Sequence, residues 1–128
     1  MQTMNPLASS PQYIQLTNKG GYVAKLDVVY ELNASIQKQS TPQMSLGMVR
    51  KLFIPPEAQN LQLEFKMADC GWITVGIEYF DNMGTSNMCF LMWGTIFVPQ
   101  YEKVACDSTI LIVDKSKAPC WKPPGGQV

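Results

Sequence analysis

The sequence predicts an all-β domain, an antiparallel β-sandwich of about eight short strands. Three observations point there. Apolar and polar residues alternate with period two in several stretches, the pattern of a strand with one wet face. Helical periodicity is weak throughout. Clusters of Gly, Asn, Asp, Ser and Pro separate the stretches at turn-like intervals.

Taken in order, "QYIQL" (12–16) reads as the first strand, and "TNKGG" is the turn after it. In "GYVAKLDVVYEL", Tyr22, Ala24, Leu26, Val28, Tyr30 and Leu32 share one face, and Lys25, Asp27 and Glu31 the other. "NASIQKQSTPQ" (33–43) reads as a long polar connection. "SLGMVRKLFI" (45–54) is a strand stopped by Pro55 and Pro56, because proline cannot join an interior ladder. In "NLQLEFKM", Leu61, Leu63, Phe65 and Met67 alternate with Gln62, Glu64 and Lys66. "ITVGIEY" is expected to turn Ile73, Val75, Ile77 and Tyr79 inward and Thr74, Gly76 and Glu78 outward. "DNMGTSN" (81–87) reads as a hairpin loop. "FLMWGTIFVPQ" (90–100) does not alternate. Phe90 to Trp93 fit a strand covered on both faces, Gly94 permits a turn, and Ile96 and Phe97 lie near the tip of an excursion that Pro99 ends. "STILIV" (108–113) is a further strand, and "KAPCWKPPGGQV" a Pro/Gly-rich tail. The expected organisation is a segment 1–12, one sandwich domain 13–114 and a tail 115–128, with no internal repeat.

Composition narrows the function. The 128 residues suit one domain with a real core, and 46% apolar against 16% charged residues is too apolar for a disordered chain. No window approaches the roughly 18–20 unbroken apolar residues of a membrane-spanning helix. "MQTMNPLASSPQ" has no basic region followed by an apolar one, so it is not a signal peptide. The expectation is a chain that is leaderless, already mature or released by another route, and membrane-associating. Ten basic residues balance ten acidic ones, and Arg50 is the sole arginine, which argues against nucleic acid as a partner.

Candidate chemistry is sparse. There is no histidine and no paired CxxC, which removes the common zinc patterns and the commonest general acid-base group; no metal, no cofactor and no catalytic residue is expected. Asp27, Glu31, Glu64 and Glu78 sit on polar strand faces and read as solvated surface. Of Cys70, Cys89, Cys106 and Cys120, a Cys106–Cys120 disulfide is one option, and unpaired thiols packed as small hydrophobes are the favoured one. Asn33 to Ser35 matches a glycosylation sequon. The informative residues are apolar ones near turns: Trp72 after "DCG", and Ile96 and Phe97 between Gly94 and Pro99. They are either corner residues of the core or apolar loop tips at one end of the sandwich.

Three segments, taken together, resemble the C-terminal membrane-binding domain of the cholesterol-dependent, or thiol-activated, cytolysins. "MWGTIFVPQYEKV" resembles that family's Trp-Gly-Thr-Thr-Leu-Tyr-Pro segment through Trp93, Gly94, Thr95 and Pro99. "GGYVAKLDVVYEL" resembles its Gly-Ala-Tyr-Val-Ala-Gln strand through Gly21, Tyr22, Val23 and Ala24. "FIPPEAQNLQLEFKMADCGW" resembles the run from an Ile-Pro turn to a single cysteine through Ile54, Pro55, Asn60, Leu61, Cys70 and Gly71. The likeness covers roughly residues 14–104. It departs where the family's Trp-rich undecapeptide would follow: Cys70 and Gly71 are kept and the tryptophan cluster is not. The family's Thr-Leu pair, implicated in cholesterol recognition, falls on Ile96 and Phe97, with Thr95 the nearest hydroxyl.

The resemblance implies a β-sandwich that recognises membrane lipid or sterol without catalysis and does not form pores alone. Its ligand-binding residues would be Cys70, Gly71, Trp72 and Ile73 in one segment and Thr95, Ile96 and Phe97 in the other. Two alternatives stand beside it. One is a lectin-like sandwich that binds glycan or protein through the same loops or the polar sheet face, with Tyr22, Trp72, Tyr79 and Trp121 as aromatic surface. The other is a self-assembling homo-oligomeric subunit, supported by the two-faced apolar strand and the eight methionines.

Overall fold

A computed structural model describes residues 12–106. The strands "STILIV", the tail with Trp121, and all of the expected N-terminal segment except Gln12 lie outside the described residues. The rest is two four-stranded sheets. The strands are β1 (Gln12–Asn18), β2 (Ala24–Leu32), β3 (Ser35–Ser40), β4 (Val49–Ile54), β5 (Gln59–Ala68), β6 (Trp72–Asn82), β7 (Met88–Gly94) and β8 (Pro99–Val104). One sheet has the order β4-β1-β7-β8 and the other β3-β2-β5-β6. All neighbours are antiparallel except β1 and β7, which pair in parallel. Among the described residues no helix is long and apolar enough to cross a membrane.

The core follows from the period-two faces. Ile14 and Leu16 of β1, Phe90 and Met92 of β7, and Leu52 and Ile54 of β4 face Leu26 and Val28 of β2 and Leu61, Leu63, Phe65 and Met67 of β5. Cys89 and Leu91, on the other side of β7, are also buried, so this strand is covered on both faces. That explains why "MCFLM" carries no polar alternation.

Three expectations fail for identifiable reasons. The "long polar connection" contains β3, which closes a tight hairpin with β2 through left-handed Asn33 (φ 54°) and Ala34 (φ 66°). An edge strand exposed along most of its length needs no apolar face, so "SIQKQS" gave no signal. In β6 Val75 packs against the core as expected, but beyond it the inward face is the opposite one. The pairing skips a residue between Gly76–Phe65 and Thr74–Lys66, and this bulge turns Ile77 and Tyr79 outward and brings Gly76, Glu78 and Phe80 in. The cysteines are not free either: Cys89 is bonded to Cys106 rather than Cys106 to Cys120, and Cys70 is disulfide-bonded as well. The β7–β8 ladder pairs Cys89 with Val104 and brings the Cys89 and Cys106 Cα atoms to 5.0 Å, within ordinary disulfide range.

Candidate functional site

The strand directions place four connections at one pole of the sandwich: residues 19–23, 41–48, 69–71 and 95–98. Both segments singled out in the sequence lie there. The hairpins β5–β6 and β7–β8 that carry them are stacked, because β6 lies against β8.

A buried asparagine ties two of the connections together. The Asn18 side-chain amide donates to the carbonyls of Tyr22 (2.7 Å) and Met44 (3.0 Å), and its oxygen accepts from Gly20 N–H (2.9 Å). The Asn18 carbonyl accepts from Gly47 N–H at 2.6 Å, and the neighbouring Lys19 N–H donates to the Met92 carbonyl at 2.7 Å. Tyr22, expected to offer aromatic surface to a glycan, is instead buried, and its hydroxyl donates to the Trp93 carbonyl at 2.6 Å.

The tip of the β7–β8 hairpin is built by Gly94 and Thr95. Gly94 has φ 94°, and a Cβ there would collide with the Val98 carbonyl oxygen. The Thr95 hydroxyl accepts from the N–H groups of Phe97 and Val98, both at 3.2 Å. What Thr95 has left for a ligand is its single O–H. This turn throws Phe97 (86% exposed) and Val98 (59%) outward, while Ile96 packs half-buried against the core. In the β5–β6 turn, Cys70 takes a left-handed φ of 62° and Gly71 a φ of 149°. Trp72 and Ile73 follow it, 39% and 43% exposed. A third tip, Leu46, is 52% exposed on the 41–48 connection. The sequence hid it inside a strand-like run; the Gly47 after it (φ 90°) was the available signal.

Beside this pole the outer face of the second sheet is charged but balanced. Lys66 Nζ lies 2.8 Å and Lys25 Nζ 4.0 Å from the almost completely buried Asp27 carboxylate. Burial alone would raise the Asp27 pKa; hydrogen bonds from Lys66 and Ser40 and the charges of both lysines outweigh it and hold the group below its usual value. The hydrogen bond to Asp27 in turn holds Lys66 above its usual range. Thr74 donates to Glu64 in the same row, and the Lys25 ammonium sits 4.7 Å from the centre of the Trp72 ring. Among the described residues no group of His, Cys, Asp and Glu is arranged to hold a metal ion.

No family model matches the sequence, and neither does any curated protein. The fold does have known counterparts among the cholesterol-dependent cytolysins. Suilysin from Streptococcus suis superposes with a TM-score of 0.60 at 18% identity, over 79% of this chain and 24% of that one. Listeriolysin O gives 0.57 at 19% identity, over 77% of this chain and 23% of that one. Pneumolysin gives 0.57 at 16% identity, over 78% and 24%. The chain therefore spans about a quarter of the length of the solved toxins it matches.

Proposed function

We propose that this cytolysin-like β-sandwich is a binding module that docks on a lipid bilayer with its loop pole, and carries out no catalysis. The observation behind this reading is the grouping at one pole of Leu46, Phe97 and Val98 on connections and Trp72 and Ile73 at the start of β6, all exposed apolar side chains. An apolar patch displayed on turns has no use inside the domain and is removed from water when it enters a membrane interface.

Fully burying one such side chain is worth about 1.5–3 kcal/mol. Phe97 and Val98 together supply about 3–6 kcal/mol, which alone corresponds to roughly millimolar binding. The half-covered Leu46, Trp72 and Ile73 raise the gross gain to about 5–10 kcal/mol before the cost of immobilisation. Docking of this kind is moderate, and sterol contact through the Thr95 O–H at the same pole would add to it. The Cys89–Cys106 bond fits an oxidising compartment, where such a module would meet cell surfaces.

Sedimentation with phosphatidylcholine vesicles, with and without cholesterol, tests the reading. The wild-type domain should pellet with vesicles, and Phe97→Ser/Val98→Ser should lose at least about tenfold in affinity. Stronger binding with cholesterol assigns the sterol as ligand; equal binding assigns the bilayer itself. Absence of wild-type binding to both, or unchanged binding by the double variant, would overturn it.

A further inference from the structure

The first sheet is buried on a face that no described strand covers. All eight strands belong to the two sheets, which meet through their inner faces. On the outer face of the first sheet, Thr17, Cys89 and Leu91 are nevertheless only 5%, 1% and 3% exposed. Across this face the register sets Val49, Thr17, Leu91 and Glu102 in one row. The two outer members of the row are exposed and the two middle ones are buried. A cover of that shape is one chain segment wide, since neighbouring strands lie about 4.8 Å apart. Cys106 supplies one end of such a segment: its bond to Cys89 holds the chain against this face, at the pole opposite to Phe97. The cysteine count supplies the other end. The chain has four cysteines. Cys89 and Cys106 hold each other, Cys70 is disulfide-bonded at the loop pole, and Cys120 is the cysteine that remains.

We propose that Cys70 is bonded to Cys120, and that residues 107–119 run as a strap over the outer face of the first sheet and bring Trp121 to the loop pole. The path is long enough. Extended chain advances about 3.3 Å per residue, so the strap reaches about 45 Å, against about 20 Å along β7 from one pole to the other. The sequence suits the face, because "STILIV" (108–113) brings four successive apolar residues to a surface that lacks a cover. The Cys70–Cys120 bond forms by exchange with a disulfide oxidant of the compartment, which takes up the two electrons and two protons of the two thiols. The consequence lies at the pole. The Cα atoms of bonded cysteines are about 4.4–6.8 Å apart, so Trp121 is held one residue from the Cys70 turn, close to Trp72. Its part in docking rests on the bilayer reading: an indole settles where apolar and wet surroundings meet, and Trp121 joins Phe97, Val98 and Leu46 in the patch.

Digestion of the oxidised full chain after Lys and Glu, followed by mass spectrometry, tests the strap without any lipid. Peptide 67–78 should be joined to 118–128, and 79–102 to 104–115. Of the alternating pairs Ile110→Ser/Ile112→Ser and Leu111→Ser/Val113→Ser, at least one should lower the urea midpoint by about 1 M, as loss of a buried apolar face does. Trp121→Ala should keep both crosslinks and the wild-type midpoint, and weaken binding to phosphatidylcholine vesicles about threefold or more. Cys70 joined to a second chain or to a cysteine other than Cys120, or a midpoint unmoved by both pairs, would overturn the strap. Vesicle binding by Trp121→Ala at wild-type strength would overturn the place of Trp121 in the patch. Absence of vesicle binding by the wild type overturns the bilayer reading and the role of Trp121 in it, whereas the crosslink and the strap are decided by the peptides and midpoints alone.

Discussion

Single residues fix the interior of this sandwich more tightly than its sequence alternation implies. Gly76 has no side chain because the Tyr101 ring occupies that place, stacked on Phe65 with 4.7 Å between centroids and donating through its hydroxyl to Glu78 at 2.6 Å. A Cβ at Gly76 would overlap the Tyr101 ring, and the ring is held on both sides. Gly76→Ala should therefore destabilise the domain by about 1–3 kcal/mol, seen as a lower urea midpoint at an unchanged slope. The Glu78 bond, then burial and the neighbouring charge, hold the Tyr101 phenol above its usual range. Asp27 supplies the acid-side counterpart. Its folded pKa is lowered from 3.8, so its contribution is fully present above that value and is lost as pH falls through the folded one. Lys66 and Tyr101 are raised from 10.5 and 10.0, so their contributions are present below those values and lost as pH rises through the folded ones. Asp27→Asn should flatten the acid limb of a stability-against-pH curve and leave the alkaline loss tied to Tyr101 in place.

At the scale of the element, β6 is the informative strand. Its outward Ile77 and inward Phe80 reverse what simple alternation predicts. Ile77→Ser should change stability by less than about 0.5 kcal/mol, whereas Phe80→Ala should cost about 2–4 kcal/mol, measured by thermal or urea unfolding. A large cost at Ile77 would contradict the bulged register. The contrast shows what a sequence can reveal. Strands β2 and β5 were legible because each has one buried and one wet face, so Leu26 and Lys25, or Leu63 and Glu64, announce their sides. In β6 one skipped pairing reverses the code without altering its letters. The edge strand β3 was silent for lack of an apolar face, and β8 because it begins at Pro99, where a strand-breaking residue is tolerated only as a first position. The site divides in the same way. Trp72 stands out as a bulky residue beside Gly71 and Phe97 as one between Gly94 and Pro99, but whether a residue is a tip or a corner depends on turn geometry: the Thr95 bonds send Phe97 out, and Ile96 turns against the core.

For the whole molecule, the consequence is a polarity of shape without a polarity of charge. Ten basic and ten acidic residues cancel across the chain, and the proposed docking pole is apolar. Vesicle binding should therefore change less than about twofold between 0.05 and 0.5 M salt, measured by co-sedimentation, whereas docking on anionic head groups would fall steeply over that range.

The bond between Cys89 and Cys106 closes the β7–β8 hairpin into a covalent ring, at the pole opposite to Phe97. The tip that carries Phe97, the most exposed large apolar side chain among the described residues, is thus held in a covalent ring. A protease that nicks the peptide beside Phe97 produces two fragments that still migrate as one under oxidising conditions and separate only on reduction. Each half of the hairpin also keeps its ladder partner after the cut. The tip can be severed while the strands behind it stay in register.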